Sequence, residues 1–311
     1  MIGPAGAIGP DAQTPSKTRA AGLSIASNAT LVGLKLAAGS ITGSIAILTE
    51  AVHSAIDLMA SIVAFVSVRK ADEPADADHP YGHAKVENLA AAIEGMLILV
   101  GAGIIIYESV RRLTEEIEVT SLGFGIAVMA FSGVANLGVS TYLYRQARLT
   151  ESPALEGDAA HLRTDAATSF GVLIALVLVE LTGVEQIDPA AALVVAGAII
   201  FAGVRIMARS SRVLVDETLP QDELEAIRSA ISEHAPDEVA GFHKLRARRA
   251  GSRRHIDLHV QFRSGTTLER AHELSHLLQG EIRRSVRGAD VLIHLEPEES
   301  LSGEPRSREG D

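Results

Sequence analysis

Residues 50–61 read EAVHSAIDLMAS, and His53 and Asp57 stand four positions apart within them. If the stretch is helical, i and i+4 side chains share one face and can meet. The surrounding segment, 44–68, is apolar and long enough to cross a bilayer, which takes about 20 residues. Ionisable groups inside such a span are costly, so they point to function. The same spacing recurs at 158–169, DAAHLRTDAATS, with His161 and Asp165. Packed together, the two helices offer two imidazoles and two carboxylates, a tetrahedral N/O set that suits Zn²⁺. Two carboxylates also cancel the charge of a divalent cation in a region that tolerates little net charge. The plainer alternative is a His–Asp hydrogen bond within each helix, serving as packing glue. Its appearance in two separate spans favours ligation. Glu50, Asp158 and Arg163 nearby read as structural groups. Lys35, Glu94, Glu108 and Asn136 read as snorkelling or interhelical pairs.

Working outward, six apolar spans are expected near 20–41, 44–68, 87–110, 121–144, 154–181 and 189–209. The first two are joined by the short SITGS and should form a tight hairpin. Lys17, Arg19, Arg69, Lys70, Lys85, Arg145, Arg148, Arg205, Arg209 and Arg212 fall on one side if both termini are cytoplasmic, as the positive-inside rule prefers. Arg111 and Arg112 are exceptions, in an outer loop diluted by Glu115, Glu116 and Glu118. The expected setting is a lipid bilayer, of the bacterial inner or plasma membrane type. Residues 1–16 carry no n-region and cleavage site and read as a disordered tail. The acidic end, 299–311, reads the same way.

Composition narrows the chemistry. The chain has 311 residues and no cysteine, so any metal must be held by imidazole and oxygen. A formal charge of −11 excludes an electrostatic footprint for nucleic acid.

Beyond residue 212 the pattern becomes that of a small soluble α+β domain, 213–298. DELEAIRSAISEH has helical periodicity, with Pro220 just before it. GFHKLRARRAG and RRHIDLHVQFRSG read as strands, the second alternating Ile256, Leu258, Val260 and Phe262 on one face. TTLERAHELSHLLQGEIRRSV reads as a helix with Thr267 as its N-cap, and ADVLIHLEP as a last strand. The order αββαβ, a ferredoxin-like arrangement, suits two helices on one face of a three-stranded sheet.

The stretches GSIAILTEAVHSAIDLMAS, ADADHPYGHAKVENLAA and EGDAAHLRTDAATS, with the αββαβ domain, resemble the cation diffusion facilitators over residues 17–297. That resemblance implies a six-helix homodimer moving zinc or a related divalent metal out of the cytoplasm against protons. It implies that His53, Asp57, His161 and Asp165 form the transport site. Histidine at the first position of both pairs is similar to the zinc-preferring members, although the same ligands would also hold Cd²⁺ or Co²⁺. Asp76, His79 and His83 match the family's loop metal site; one carboxylate and two imidazoles there make a sound but incomplete zinc site. His243, His259, His272 and His294, with Glu296, match a zinc site at the dimer interface of the C-terminal domain.

The expectation is therefore a Zn²⁺/H⁺ antiporter working by alternating access. A metal-binding membrane sensor or scaffold without transport is the first alternative. A second is a zinc protease, because residues 272–276 spell HELSH, the two-histidine helix pattern with a glutamate between. An ATP-driven pump is disfavoured, since no phosphate-binding G-x-x-x-x-G-K-[ST] loop is present.

Overall fold

The computed structural model describes residues 17–42, 45–114, 123–184 and 186–298. Both expected tails and the turn at 43–44 lie outside the described residues. The chain divides into two compact units, Met1–Arg212 and Val213–Asp311.

Among the described residues, the first unit is built from six helices: α1 (Lys17–Thr42), α2 (Ile45–Ala71), α3 (Lys85–Thr114), α4 (Gly123–Thr150), α5 (Pro153–Thr182) and α6 (Ile187–Leu214). Each runs a few residues past its expected apolar span, because helical hydrogen bonding continues into the polar flanks. Those flanks suit the helix ends. Arg69 and Lys70 occupy the last turn of α2, and Glu87 and Glu156 the first turns of α3 and α5, where the backbone dipole favours them. Among the described residues, α1, α3 and α6 contain segments long and apolar enough to cross a membrane by composition alone. By contrast, α2 and α5 carry the ionisable groups singled out above.

Close packing in this unit depends on small side chains. Ala20, Ala21, Ala90, Ala147, Ala154 and Ala159 are buried with Leu143, Leu155 and Leu162. Such residues let helix backbones approach where no hydrophobic force drives them together. Helix α1 packs on α2, α4 on α5, and α5 also on α3 and α2. Polar contacts finish the joints. Lys35 is buried and donates to Ser54 at 2.7 Å, the interhelical pairing expected of it. Where α2 stops and α3 begins, Lys17 donates to Asp72 at 3.2 Å and to Glu87 at 2.9 Å. Ser152, just before α5, also donates to Glu87.

The second unit has the expected order: α7 (Gln221–His234), β1 (Val239–Ala250), β2 (Arg253–Phe262), α8 (Leu268–Ser285) and β3 (Ala289–Pro297). The sheet order is β1-β2-β3, with β1 antiparallel and β3 parallel to β2. A parallel return needs a crossover, and α8 supplies it. Both helices contribute to one core: Ile227 and Ile231 from α7, Leu274, Leu278 and Ile282 from α8, against Ile256, Leu258 and Val260 of β2. Thr267 caps α8 by accepting from the Arg270 amide at 3.2 Å. Gly288, at φ 69°, precedes β3 where a Cβ would stand 2.8 Å from the Ser252 carbonyl oxygen, so only glycine fits.

Candidate metal centres

The intramembrane set comes together from two helices. Asp57 on α2 and His161 on α5 are buried, with His161 Nε2 3.3 Å from Asp57 Oδ1. One turn further along α5, Asp165 Oδ2 lies 3.9 Å from the same nitrogen. Ligand atoms of all three lie within 4.8 Å of one another. His161 Nδ1 is buried without a hydrogen-bond partner among the described residues. The backbone of His53 is helical, one turn before Asp57 on α2; its side chain lies outside those described. Behind this set runs a polar seam. Ser61 Oγ donates to Asp158 Oδ1 at 3.0 Å, receives Asn28 Nδ2 at 2.8 Å, and lies 2.9 Å from Ser24 Oγ. Asp158 is thus tied to α1 and α2 and is a framework residue, as its sequence reading had it.

The second set lies in the loop between α2 and α3. Asp76 is its hub, with Oδ1 3.1 Å from His79 Nδ1 and Oδ2 3.3 Å from His83 Nε2. The two rings sit 4.5 Å apart by their centroids. Asp76 Oδ1 also accepts the backbone amides of His79, at 2.6 Å, and Asp78, at 3.0 Å. The amide of His79 is the main reason that the Asp76 carboxyl is held below its usual range. Gly82, at φ 80°, turns the chain so that His83 returns, buried, beside the exposed Asp76 and His79.

The third set depends on strand register. His243 pairs with His259 across β1 and β2, and His259 pairs with His294 across β2 and β3. Three imidazoles therefore form one row across the sheet. They share the face opposite the helices, since His259 alternates with core residues Leu258 and Val260 along β2. Glu296 ties the row together, accepting from His243 Nε2 at 2.7 Å and His259 Nδ1 at 2.6 Å. Burial works to raise the Glu296 pKa, but these bonds and the imidazole charges outweigh it and hold it at about 2. His294 Nε2 stands 3.7 Å from the same carboxylate and is the most exposed of the four. Immediately after His243 the β1 register slips between His243 and Arg246, with Lys244 at φ 49°. A bulge of this kind bends the strand and re-aims its side chains.

Within a single chain His272 stands apart from this row, so the dimer-interface role expected of it would require a second copy. It lies on α8, where its Nε2 is 3.2 Å from Nε2 of His276, a residue that sequence reasoning left unassigned. The i,i+4 spacing within HELSH carried that signal. His255, also unassigned, lies 3.4 Å from Asp290, and burial leads in lowering its pKa.

Comparison with known proteins agrees with this architecture. Residues 22–215 match the cation efflux transmembrane domain and residues 219–298 the cytoplasmic domain of cation efflux proteins. An uncharacterized transporter of Synechocystis sp. is 37% identical over 275 residues, 88% of each chain. The cation-efflux pump FieF of Serratia proteamaculans is 33% identical over 280 residues, 90% of this chain and 91% of its own. The metal-bound C-terminal domain of the CzcD transporter from Thermotoga maritima is 24% identical; the match covers 26% of this chain and 93% of that one, with a TM-score of 0.25. With both domain models matched in order, and with relatives aligned over most of their length, the chain is a multi-pass membrane transporter of the cation diffusion facilitator family.

Proposed function

We propose that this transporter exports Zn²⁺ in exchange for protons, by alternating access to the intramembrane set. The observation that carries the reading is the convergence of Asp57, His161 and Asp165 from α2 and α5, buried and within 4.8 Å. Imidazole and carboxylate donors with no thiolate fit a borderline divalent cation, and a tetrahedral N/O set fits zinc. His53, one turn before Asp57, supplies the fourth ligand in this reading.

Proton coupling follows from the ligands themselves. Imidazole binds metal through the lone pair that a proton would occupy, so loading releases protons and protonation releases metal. Facing the cytoplasm, the set is deprotonated and takes the cation. Facing outward, it takes protons and lets the cation go. Histidine suits that exchange because its charge changes near neutral pH. Both termini are cytoplasmic in this scheme, and the membrane is of the bacterial inner type.

The chain works as a homodimer in which the C-terminal domain regulates transport. His243, His259, Glu296 and His294 present nitrogen and oxygen donors on one sheet face and fit a resident Zn²⁺. Asp76, His79 and His83 offer a second such set in the loop. A metal bound there would cross-link groups that are otherwise joined only by hydrogen bonds.

Flux into proteoliposomes under an imposed pH gradient tests the proposal, with zinc, cadmium, cobalt, manganese and iron compared side by side. Asp57→Ala and His161→Ala should each abolish zinc flux. Wild-type rates in either variant would rule out this site. Zinc binding without gradient-driven flux would instead indicate a sensor or scaffold.

A further inference from the structure

Transport leaves two features unused. One is the HELSH stretch, where the protease reading fails: Glu273, which would have to act as base, is exposed on α8 and pairs with Arg270 at 3.2 Å. The other is Glu94, within the apolar span of α3. It is fully buried and so does not snorkel, and neither carboxyl oxygen has a hydrogen-bond partner among the described residues. Its carboxyl lies against Gly157 of α5. An ionised carboxylate held there without a donor or a cation is costly, and such groups are neutralised instead.

Asp158, the residue after Gly157, is the charged group that acts on Glu94 among the described residues. Other neighbours are engaged elsewhere: Glu156 with Arg209 of α6 at 2.7 Å, Glu87 with Lys17 at 2.9 Å, and Asp57 of α2 with His161 at 3.3 Å. The two carboxyls are unequal. Asp158 is also fully buried, but Ser61 donates to its Oδ1 at 3.0 Å, and a hydroxyl donor supports a negative charge. Glu94 has no such donor. A single proton held by the pair therefore belongs on Glu94, since neighbouring carboxylates in an apolar site do not both ionise.

The pair also reaches the metal set without belonging to it. Asp158 lies about one turn before His161 on α5 and interacts with its charge. Positive charge added to the set is felt strongly in a medium of low dielectric constant, and it makes a second negative charge nearby tolerable. We propose that Glu94 carries a proton that metal loading of the intramembrane set displaces, a proton site additional to the ligands themselves. On loading, the O–H bond of the Glu94 carboxyl breaks and the proton passes to water, leaving a carboxylate. Intramembrane carboxyls commonly mark proton relays. The inference rests on the transport reading for where the metal binds.

Infrared spectroscopy tests it on full-length, metal-free protein at neutral pH, in a maltoside detergent that has no carbonyl of its own. Wild type should show the carbonyl stretch of a protonated carboxyl, and Glu94→Gln should lack it. Isotopic labelling of glutamate, but not of aspartate, should move that band, which identifies it even if the variant fails to fold. Zn²⁺ should remove the band from wild type but not from Asp57→Ala. Glu94→Gln should bind as many ions as wild type while releasing one proton fewer per ion. A spectrum without a glutamate band would overturn the proposal, as would a band that persists when the set is loaded. Loss of a bound ion in Glu94→Gln would make Glu94 a ligand and overturn it equally. If Asp57→Ala binds as many ions as wild type and also loses the band, the transport site is wrong while the Glu94 proton stands.

Discussion

Gly157 on α5 lies against the carboxyl group of Glu94 on α3 so closely that a Cβ at position 157 would overlap Glu94 Oε2. The same Cβ would stand 3.3 Å from the Ala91 Cα, so the backbone offers no relief either. Glu94 is fully buried, and neither carboxyl oxygen has a hydrogen-bond partner among the described residues. Gly157→Ala should therefore overpack the α3–α5 joint and cost about 1–3 kcal/mol. Adding Glu94→Ala should recover most of that loss, giving a strongly non-additive double-mutant cycle. Calorimetric unfolding of the detergent-solubilised variants checks this; additive losses would mean that the two residues do not meet.

Ser61 is a hub whose single hydroxyl serves three partners. Ser61→Ala would leave buried Asn28 and Asp158 each short of a bond, at a cost of about 1–3 kcal/mol. Metal selectivity should not change, because Ser61 bonds to Ser24, Asn28 and Asp158, none of them a proposed ligand. Unfolding temperature and the ratio of zinc to cobalt flux, measured on the same preparation, separate the two effects.

In the C-terminal domain, Arg254 grips Glu223 with two bonds of 2.9 Å while itself nearly buried. Glu223→Gln should cost about 2–3 kcal/mol at neutral pH, the worth of hydrogen bonds to a charged group. Those bonds from Arg254 hold Glu223 below the ordinary carboxylate value of 4.5. A carboxyl whose folded pKa is depressed stabilises fully above its unfolded value and loses that contribution as pH falls through the folded one. Wild type should accordingly lose stability below about pH 4.5, and the Gln variant should lose less over the same range. Unfolding temperatures from pH 7 to pH 3 would show it.

Removing metal should loosen the sheet-face site. An ion present at a hundred times its Kd adds about 2.7 kcal/mol to the folded state. Chelation should therefore lower the unfolding temperature of wild type by more than that of His259→Ala, which lacks only the sheet-face site. Equal shifts in both proteins would locate the stabilising ion elsewhere.

Some of this was legible in the chain and some was not, for physical reasons. Helical spacing fixes which neighbours share a face, so His161 and Asp165 could be paired on sight. Apolar length gave the helices, and the alternation of Ile256, Leu258 and Val260 gave the core face of β2. The histidine row was beyond spacing arguments, because it depends on register. His243 meets His259 only by the pairing set beside the bulge at Lys244, and His294 arrives through the α8 crossover. The meeting of Gly157 and Glu94 was not legible either, since nothing local announces what a distant helix will press against a glycine. HELSH was the plainest motif of all, yet its spacing alone could not distinguish catalysis from a surface pair.

Strand β2 places Leu258 and Val260 toward the helices and His259 toward the opposite side. Ligand positions and core positions are thus interleaved along one strand but answer to different constraints. Exchanging an imidazole for another donor on the outer side removes no core volume, and repacking the inner side moves no ligand directly. Descendants of this chain could therefore drift in metal preference or affinity without first surrendering a stable domain.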